Sequence, residues 1–385
     1  MKADNGKRPS RVTVRASGAS YAVVIQDGLL SRAGRELDPL MGDRKVFILS
    51  DTNVWELWGR QLSQALAPRT LGVILTPPGE RYKRMATVER ITQELARHGA
   101  ERSSLLVAFG GGVVGDMGGF AAAVFLRGID CVQIPTTLLA QVDSAIGGKT
   151  GVNLEAGKNL VGTFSQPRMV LSDPRLLRTL PPRELRAGLF EAVKCGVIGD
   201  RKLFEFLWKE RACVLRGDPQ ALAPVIHACA ALKGRVVSRD EKEGGLRRIL
   251  NFGHTVGHAL EAATAYRRFL HGEAVAWGML AATRLAVDTG LLSAPQAERI
   301  AALIIAYGAY GPVPPLRGLP FDALWPHLTA DKKVRGGVIH FVLPRRIGQV
   351  EVVPGITRTQ IERTWQSLLQ ADPFRQSAHA AKGKR

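Results

Sequence analysis

The stretch Asn251-Phe252-Gly253-His254-Thr255-Val256-Gly257-His258 sets two histidines four residues apart, and a third, His271, opens His271-Gly272-Glu273-Ala274-Val275. Positions i and i+4 share one face of a helix, so His254 and His258 project together. Upstream, Glu191 lies among apolar residues in the run Arg183–Ile198, with Lys194 one turn further on. Two imidazoles and a carboxylate around an open position make the shell of a catalytic zinc. Such an ion polarises a hydroxyl or carbonyl oxygen. The spacing leaves open which two of the three histidines bind. It also leaves Glu261 and Glu273 as candidate ligands.

A second group of residues suits phosphate. The apolar run Leu105–Phe109 leads into Gly110-Gly111-Gly112-Val113-Val114-Gly115-Asp116. Glycines at a strand-to-helix turn let backbone N–H groups approach a phosphate, and the helix N-terminus adds positive partial charge. The run Lys45–Leu49 ends near Asp51-Thr52-Asn53, where an acid can bond a ribose. Pro77-Pro78-Gly79-Glu80-Arg81-Tyr82-Lys83 follows another strand end. The acid precedes the glycine turn rather than following it, so this is not the usual dinucleotide fingerprint. A nucleotide-binding domain of non-standard order is expected.

A third group is basic and amide-rich. Arg127-Gly128-Ile129-Asp130 is followed by the long run from Gln133 to Asn153, which holds Thr136, Thr137, Asp143 and Gly147-Gly148-Lys149. Lys158-Asn159-Leu160-Val161-Gly162 comes next. Full Walker spacing is absent. Cations and amides in glycine-rich turns suit a small, highly charged anion. Lys233, Arg247, Arg248, Lys332 and Lys333 are further basic candidates.

The elements that must carry these groups change character along the chain. Strands are expected at Val12–Val14, Tyr21–Ile25, Lys45–Leu49, Leu71–Leu75, Leu105–Phe109, Cys131–Ile134 and Met169–Leu171, with helices such as Val54–Leu66 and Met85–His98 between them. This alternation implies a mostly parallel sheet covered by helices. After about Leu180 helical patterns dominate: Arg183–Ile198, Pro219–Ser238, His254–Ala265, Glu273–Asp288 and Pro295–Tyr307. A hairpin-like pair, Gly337–Leu343 and Gln349–Val352, precedes a last helix around Thr357–Leu369. The expected organisation is a tail over 1–11, an α/β domain over 12–180, a mainly helical domain over 181–372 and a basic tail over 373–385.

The 385 residues carry 53 basic and 34 acidic side chains, a formal charge of +19. Hydrophobic residues make up 45%, which excludes wholesale disorder. The charge raises nucleic acid as a partner, but no helix-turn-helix, zinc finger or aromatic-basic platform supports it. Cys131, Cys195, Cys213 and Cys229 form no CxxC pair, so a reducing cytoplasm is the expected compartment. No signal peptide or membrane span is expected, since Asp116 and several glycines interrupt the most apolar stretch, Leu105–Leu126.

The segments Gly110–Asp116, Arg127–Gly162, Leu177–Lys194 and Leu250–Ala276 resemble the 3-dehydroquinate synthase family of sugar-phosphate cyclases, and the resemblance runs from about Val12 to the terminal helix. It implies a Rossmann-like nucleotide-binding domain followed by a mainly α-helical metal-binding domain. It implies a carbon–oxygen lyase that converts 3-deoxy-D-arabino-heptulosonate 7-phosphate to 3-dehydroquinate and phosphate, with recycled NAD⁺ and Zn²⁺ or Co²⁺, in the shikimate pathway. The implied metal ligands are Glu191, His254 and His271, which leaves His258 for substrate or proton transfer. Implied NAD⁺ contacts are Asp51, Asn53, Gly79, Glu80, Lys83, Gly112, Val113, Val114, Gly115, Asp116, Thr136, Thr137, Lys149, Lys158, Leu177, Thr179 and Leu180. Implied substrate groups are Asp143, Lys149, Asn159, Lys194, Lys233, Arg247, Asn251 and Lys333, with Lys332 as the neighbouring alternative. Arg127 resembles the arginine that the family lends across a homodimer to the neighbour's phosphate. Cys195, Phe252 and Val256 depart from common family residues without removing a ligand or a donor.

Overall fold

The computed structural model describes residues 9–16, 19–308, 313–330, 339–371 and 373–374. The chain divides into two compact units. The first is Met1–Leu180 with Leu222–Lys242, and the second is Pro181–Ala221 with Glu243–Arg385.

The first unit is built on β1 (Ser10–Ala16), β2 (Ala19–Ile25), β3 (Val46–Asp51), β4 (Thr70–Thr76), β5 (Leu105–Gly110), β6 (Asp130–Pro135) and, later in the chain, β9 (Met169–Ser172). They form one sheet in the order β1-β2-β9-β6-β5-β3-β4. Only the β1–β2 pair is antiparallel. β3 and β5 are buried along their whole lengths, which is why they read as unbroken apolar runs. Their pleat sorts side chains to two cores. Val46, Ile48, Leu105 and Val107 pack with α1 (Ala33–Met41) and α2 (Thr52–Leu66), through Leu37, Met41, Leu62 and Leu66. Phe47, Leu49, Leu106 and Ala108 pack with α3 (Met85–Arg97) and α4 (Gly112–Val124), through Val88, Ile91, Leu95 and Met117. Gly118 lets α4 lie close on the sheet: a Cβ there would stand 2.8 Å from Ala108 Cβ and 3.1 Å from Leu49 Cδ2.

The run from Lys149 to Phe164, expected as glycine-rich turns, is instead an antiparallel hairpin of β7 (Lys149–Leu154) and β8 (Gly157–Phe164). Gly151 pairs with Gly162 across it, and a Cβ on Gly162 would meet Thr150 O at 2.0 Å. The glycines that permit this approach are the residues that hide a strand from a propensity reading.

After Leu180 the chain forms α5 (Pro182–Gly199), α6 (Arg201–Lys209), α7 (Arg211–Leu215) and α8 (Pro219–Arg239). Leu222–Lys242 belongs to the first unit, so the helical unit is not continuous in sequence. There, Ser238 Oγ accepts from Arg15 N at 2.9 Å, and Gly234 faces Val14. α8 is the one helix among the described residues long and apolar enough to cross a membrane, and most of it is buried in the fold. The second unit continues through α9 (His254–Ala263), α10 (His271–Asp288), α11 (Ala294–Gly308), α12 (Phe321–Ala330), the hairpin β10 (His340–Arg346) and β11 (Gln349–Pro354), and α13 (Arg358–Ala371). Trp277 and Tyr307 are fully buried in it.

Two ends differ from expectation. β1 begins at Ser10, inside the expected leading tail. Phe374, inside the expected trailing tail, is buried and packs edge-on against Trp277 with ring centroids 4.8 Å apart. Residues 1–8 and 375–385 lie outside the described residues.

The α4–sheet contact predicts that Gly118→Val, which adds atoms where a Cβ already crowds Ala108, destabilises the protein by about 1–3 kcal/mol. A lower urea midpoint is the expected result, and an unchanged midpoint would mean that the helix lifts off the sheet without cost.

Candidate active site

In the second unit, close helix crossings converge on the histidines. A Cβ on Gly272 would stand 1.9 Å from Ala187 O, so α10 meets α5 at backbone distance beside His271. A Cβ on Gly278 would stand 1.8 Å from Gly253 O, so α10 also meets the start of α9. Gly253 has φ +79, and a side chain there would strike Met279 and Val275 O. No larger residue fits at these crossings without forcing the helices apart.

The result is that His254, His258 and His271 bring ligand atoms within 4.8 Å of one another. Glu191 on α5 is 0% exposed. Its Oε1 lies 3.8 Å from His254 Nε2 and 3.7 Å from His271 Nε2. Those separations are too long for hydrogen bonds. They are close to the roughly 3.4 Å between two donors that share a tetrahedral ion at about 2.1 Å. Glu191 Oε1 is buried without a hydrogen-bond partner, and Oε2 is ion-paired with the Lys194 ammonium one turn along α5. A buried, unpartnered carboxylate oxygen at that distance from two imidazole nitrogens fits a cation held between them. The remaining ring nitrogens are already committed. His254 Nδ1 meets Phe252 O at 3.1 Å, and His271 Nδ1 meets Glu261 Oε2 at 2.9 Å. Both Nε2 atoms therefore face the ligand cluster.

The geometry separates the three acids near the histidines. Glu261 pairs with His271 Nδ1 and so fixes the orientation of that ring. Glu273 is engaged elsewhere, holding Arg183 through two contacts of 2.7 Å and accepting from Leu270 N at 2.9 Å. Burial works against a charge on His271, but the Glu261 carboxylate, the hydrogen bond to it and Glu191 together hold its pKa above the usual histidine value. Elsewhere in this unit Arg247 is 1% exposed, and Asn251 Nδ2 donates to Glu243 Oε1 at 3.0 Å. Lys332 and Lys333 lie outside the described residues.

In the first unit the glycine turn stands where β5 ends. Thr136 N donates to Gly110 O at 2.9 Å, a Cβ on Gly111 would touch Thr137 Cγ2 at 3.0 Å, and one on Gly112 would reach Ser144 Oγ at 2.9 Å. The Thr136 and Ser144 hydroxyls are buried without hydrogen-bond partners. A backbone cradle that a Cβ would fill, lined by orphaned hydroxyls, fits the phosphates of a dinucleotide. Asp51 ends the neighbouring β3 and caps α2, accepting from Val54 N at 3.0 Å. Burial raises its pKa, against backbone N–H bonds from Val54 and Asn53 that lower it. Asn53 is exposed in the first turn of α2.

Gly79 (φ +108) leads into Glu80 and Lys83. Lys83, 4% exposed, donates to Asp116 Oδ2 at 2.5 Å in α4. Burial raises the Asp116 pKa, and Lys83 pulls it back down. Lys83 also donates to Asn159 Oδ1 at 2.5 Å. Lys233 on α8 donates to Asp143 O at 2.7 Å and pairs with the Asp143 carboxylate. Lys149 is exposed and Lys158 half-buried, both on the β7–β8 hairpin. Thr179 Oγ1 accepts from Trp58 Nε1 at 2.9 Å, whereas Leu177 is buried inside the unit. Arg127 is exposed, with φ +69 after Leu126 at +49. Sequence reasoning gave no role to Trp58, Ser144, Asn153 or Glu243. Of these, only Asn153 carried a signal, as a side-chain amide at the end of the basic, glycine-rich run.

The residues match two family models, 3-dehydroquinate synthase N-terminal over residues 73–187 and 3-dehydroquinate synthase C-terminal over residues 188–334. A 3-dehydroquinate synthase of Solibacter usitatus is 49% identical over 91% of this chain and 96% of its own. One of Gloeobacter violaceus is 47% identical over 93% and 99%. Among solved structures, ValA, a 2-epi-5-epi-valiolone synthase of Streptomyces hygroscopicus with NAD⁺ and Zn²⁺ bound, has TM-score 0.83 and 32% identity over 92% of this chain and 98% of its own. A 2-deoxy-scyllo-inosose synthase complexed with carbaglucose-6-phosphate, NAD⁺ and Co²⁺ has TM-score 0.83 and 28% identity over 93% and 99%.

The outer partner of His271 predicts that Glu261→Gln weakens Zn²⁺ binding about 10–100-fold, measured by chelator competition, while Glu273→Gln leaves it within about twofold of wild type. Equal effects would remove the distinction drawn between the two carboxylates. Protons compete for the same histidines, so Zn²⁺ affinity falls as pH falls. Because His271 holds its proton more tightly than usual, the fall begins at a higher pH than for an ordinary histidine near 6.5. Isothermal titrations between about pH 5 and 8 would show it.

Proposed function

We propose roles for the two constellations from the premise that the comparisons supply: the chain belongs to the 3-dehydroquinate synthase family. The reaction is conversion of 3-deoxy-D-arabino-heptulosonate 7-phosphate to 3-dehydroquinate and inorganic phosphate, in the shikimate pathway. The observation that carries the assignment of the metal centre is the buried Glu191 Oε1, without a hydrogen-bond donor, facing His254 Nε2 and His271 Nε2.

Glu191, His254 and His271 hold the divalent ion, Zn²⁺ or Co²⁺, and Lys194 moderates the charge of the carboxylate. NAD⁺ lies on the glycine turn, with Gly112–Asp116, Thr136 and Thr137 on its phosphates and Asp51 and Asn53 on a ribose. Glu80, Lys83, Lys158, Thr179 and Leu180 complete its contacts. When bound, the metal polarises a ring oxygen and NAD⁺ takes and later returns a hydride. The protein's own groups supply the rest. The phosphate that leaves carries developing negative charge, and Lys149, Asn159, Asn251, His258 and Arg127 supply donors and cations for it. Lys233 and Arg247 serve the substrate carboxylate, with Asp143 orienting Lys233. His258, in the same cluster as the metal ligands, holds a proton at Nδ1 or Nε2 for exchange with the substrate. The closing aldol step is intramolecular, so holding the chain in a reactive geometry is most of the catalysis.

We further propose a homodimer in which Arg127 reaches the neighbour's phosphate. The exposed apolar Val124 and Leu126 beside it support that reading. None of the four cysteines is in a disulfide, which suits a cytoplasmic enzyme.

The test mixes the protein, the heptulosonate phosphate, catalytic NAD⁺ and Zn²⁺, and follows phosphate together with the NADH absorbance. Many phosphates per NAD⁺, no NADH build-up, and loss on chelation with recovery on Zn²⁺ are expected. NADH rising steadily with a polyol would overturn the lyase in favour of a dehydrogenase. Turnover of sedoheptulose 7-phosphate instead would move the substrate to that of a sister cyclase. Arg247→Ala is expected to raise KM for the sugar phosphate at least about tenfold, the scale of a lost charge-assisted bond, with little change in KM for NAD⁺. Equal weakening of both would remove Arg247 from the carboxylate.

A further inference from the structure

Asn153 sits in β7 with both halves of its amide committed. Its Nδ2 donates to Glu80 Oε1 at 2.8 Å, and its Oδ1 accepts from Asn159 N at 2.9 Å. Its own backbone N donates to Lys83 O at 2.8 Å. One residue thus ties the loop that carries Glu80 and Lys83 to the β8 residue Asn159.

The polarity along this chain of contacts is determined by chemistry. A carboxylate only accepts, so the amide NH₂ of Asn153 faces Glu80 and its oxygen is left for the Asn159 N–H. Asn159 holds φ +54, in the left-handed region that asparagine enters more readily than other non-glycine residues, and the bond from its N–H to Asn153 Oδ1 fixes it there. In that conformation Asn159 Oδ1 accepts from Lys83 Nζ at 2.5 Å. An ammonium only donates, so Lys83 takes the Asn159 oxygen and leaves the Asn159 NH₂ as a pair of donors. Donors are what an anionic phosphate needs. Lys83 in turn is anchored on Asp116 in the first turns of α4.

We infer that Asn153 is a positioning residue: by holding Asn159 in its left-handed conformation it presents the Asn159 NH₂ to the substrate phosphate, and by holding Glu80 it joins that donor to the NAD⁺ side of the first unit. The inference rests on the roles proposed above for Asn159, Lys83 and Glu80.

The experiment uses the full chain loaded with Zn²⁺ and NAD⁺, and measures KM for the sugar phosphate, kcat, and Kd for NAD⁺ in Asn153→Ala, Asn153→Asp, Asn159→Ala and the Asn153→Ala/Asn159→Ala double variant. Losing one such bond changes an equilibrium about three- to tenfold. Asn153→Ala is expected to raise KM for the sugar phosphate by that factor, with Zn²⁺ content and the unfolding midpoint unchanged. Because Asn153 acts through Asn159, the double variant is expected to be no worse in that KM than Asn159→Ala alone. Asn153→Asp keeps the acceptor for Asn159 N, so it is expected to recover most of the KM while weakening NAD⁺ through repulsion of Glu80. Additive KM effects in the double variant, or an Asn153→Ala enzyme with wild-type KM, would overturn the inference. A wild-type enzyme that releases no phosphate from this substrate would overturn the reading on which it rests, and the inference with it.

Discussion

The histidine cluster proposed to hold the metal depends on how closely three helix backbones approach. Gly272 lets α10 lie against Ala187 of α5, and Gly278 lets it lie against Gly253 at the start of α9. With ordinary side chains at those crossings, helix axes stand about 8–10 Å apart. The same contacts bring Glu191, His254 and His271 to one point, since each lies within a few residues of a crossing. Dispersion forces in this close-packed bundle hold in place a buried carboxylate that pairs with Lys194 through one oxygen and faces two imidazoles with the other. Stability of the unit and the geometry of the proposed metal site are therefore coupled through the same few glycines.

The first unit solves a different problem. Its strands β3 and β5 are buried on both faces, so their interiors are apolar up to Ser50, whose hydroxyl is satisfied by Phe109 O. Chemistry is confined to where the strands end. Asp51 follows β3, the glycine turn follows β5, and Thr136 and Thr137 follow β6. The adjacency β6-β5-β3 in the sheet brings these three ends side by side, as expected for ligand binding in open parallel sheets. Around them the polar groups are paired in a definite sense: Lys83 with Asp116, and Lys233 with Asp143. Each buried ammonium has its counter-charge, so the unit can keep a high local density of cations without leaving a charge uncompensated.

The strands of a mostly parallel sheet, the apolar faces of the long helices, and the i, i+4 pair His254 and His258 were all legible from the chain. Each is a local pattern with a period of two or of 3.6 residues. The β7–β8 hairpin was not legible, because Gly151 and Gly162 supply close backbone approach and no side-chain pattern. Nor was the assignment of α8 to the first unit, since an amphipathic helix states that it has a buried face but not which surface buries it. Phe374 was masked by its basic surroundings, although its ring packs on Trp277.

The sequence by itself determined the residue types available: three histidines and buried-type acids for a cation, a glycine turn and flanking acids for a nucleotide, and amides and cations for a phosphate. Only the tertiary structure decided among equals. Glu191 and Glu261 are both buried acids near the histidines, yet one faces the two Nε2 atoms and the other takes an Nδ1. Glu273 follows His271 by two residues and is spent on Arg183. The amide oxygen of Asn159 was assigned to Lys83 by a residue six positions away whose own amide was assigned by Glu80. The physical reason is common to all of these. Which atom of a polar group is used depends on the donor or acceptor placed opposite it, and distant segments meet only in the folded chain.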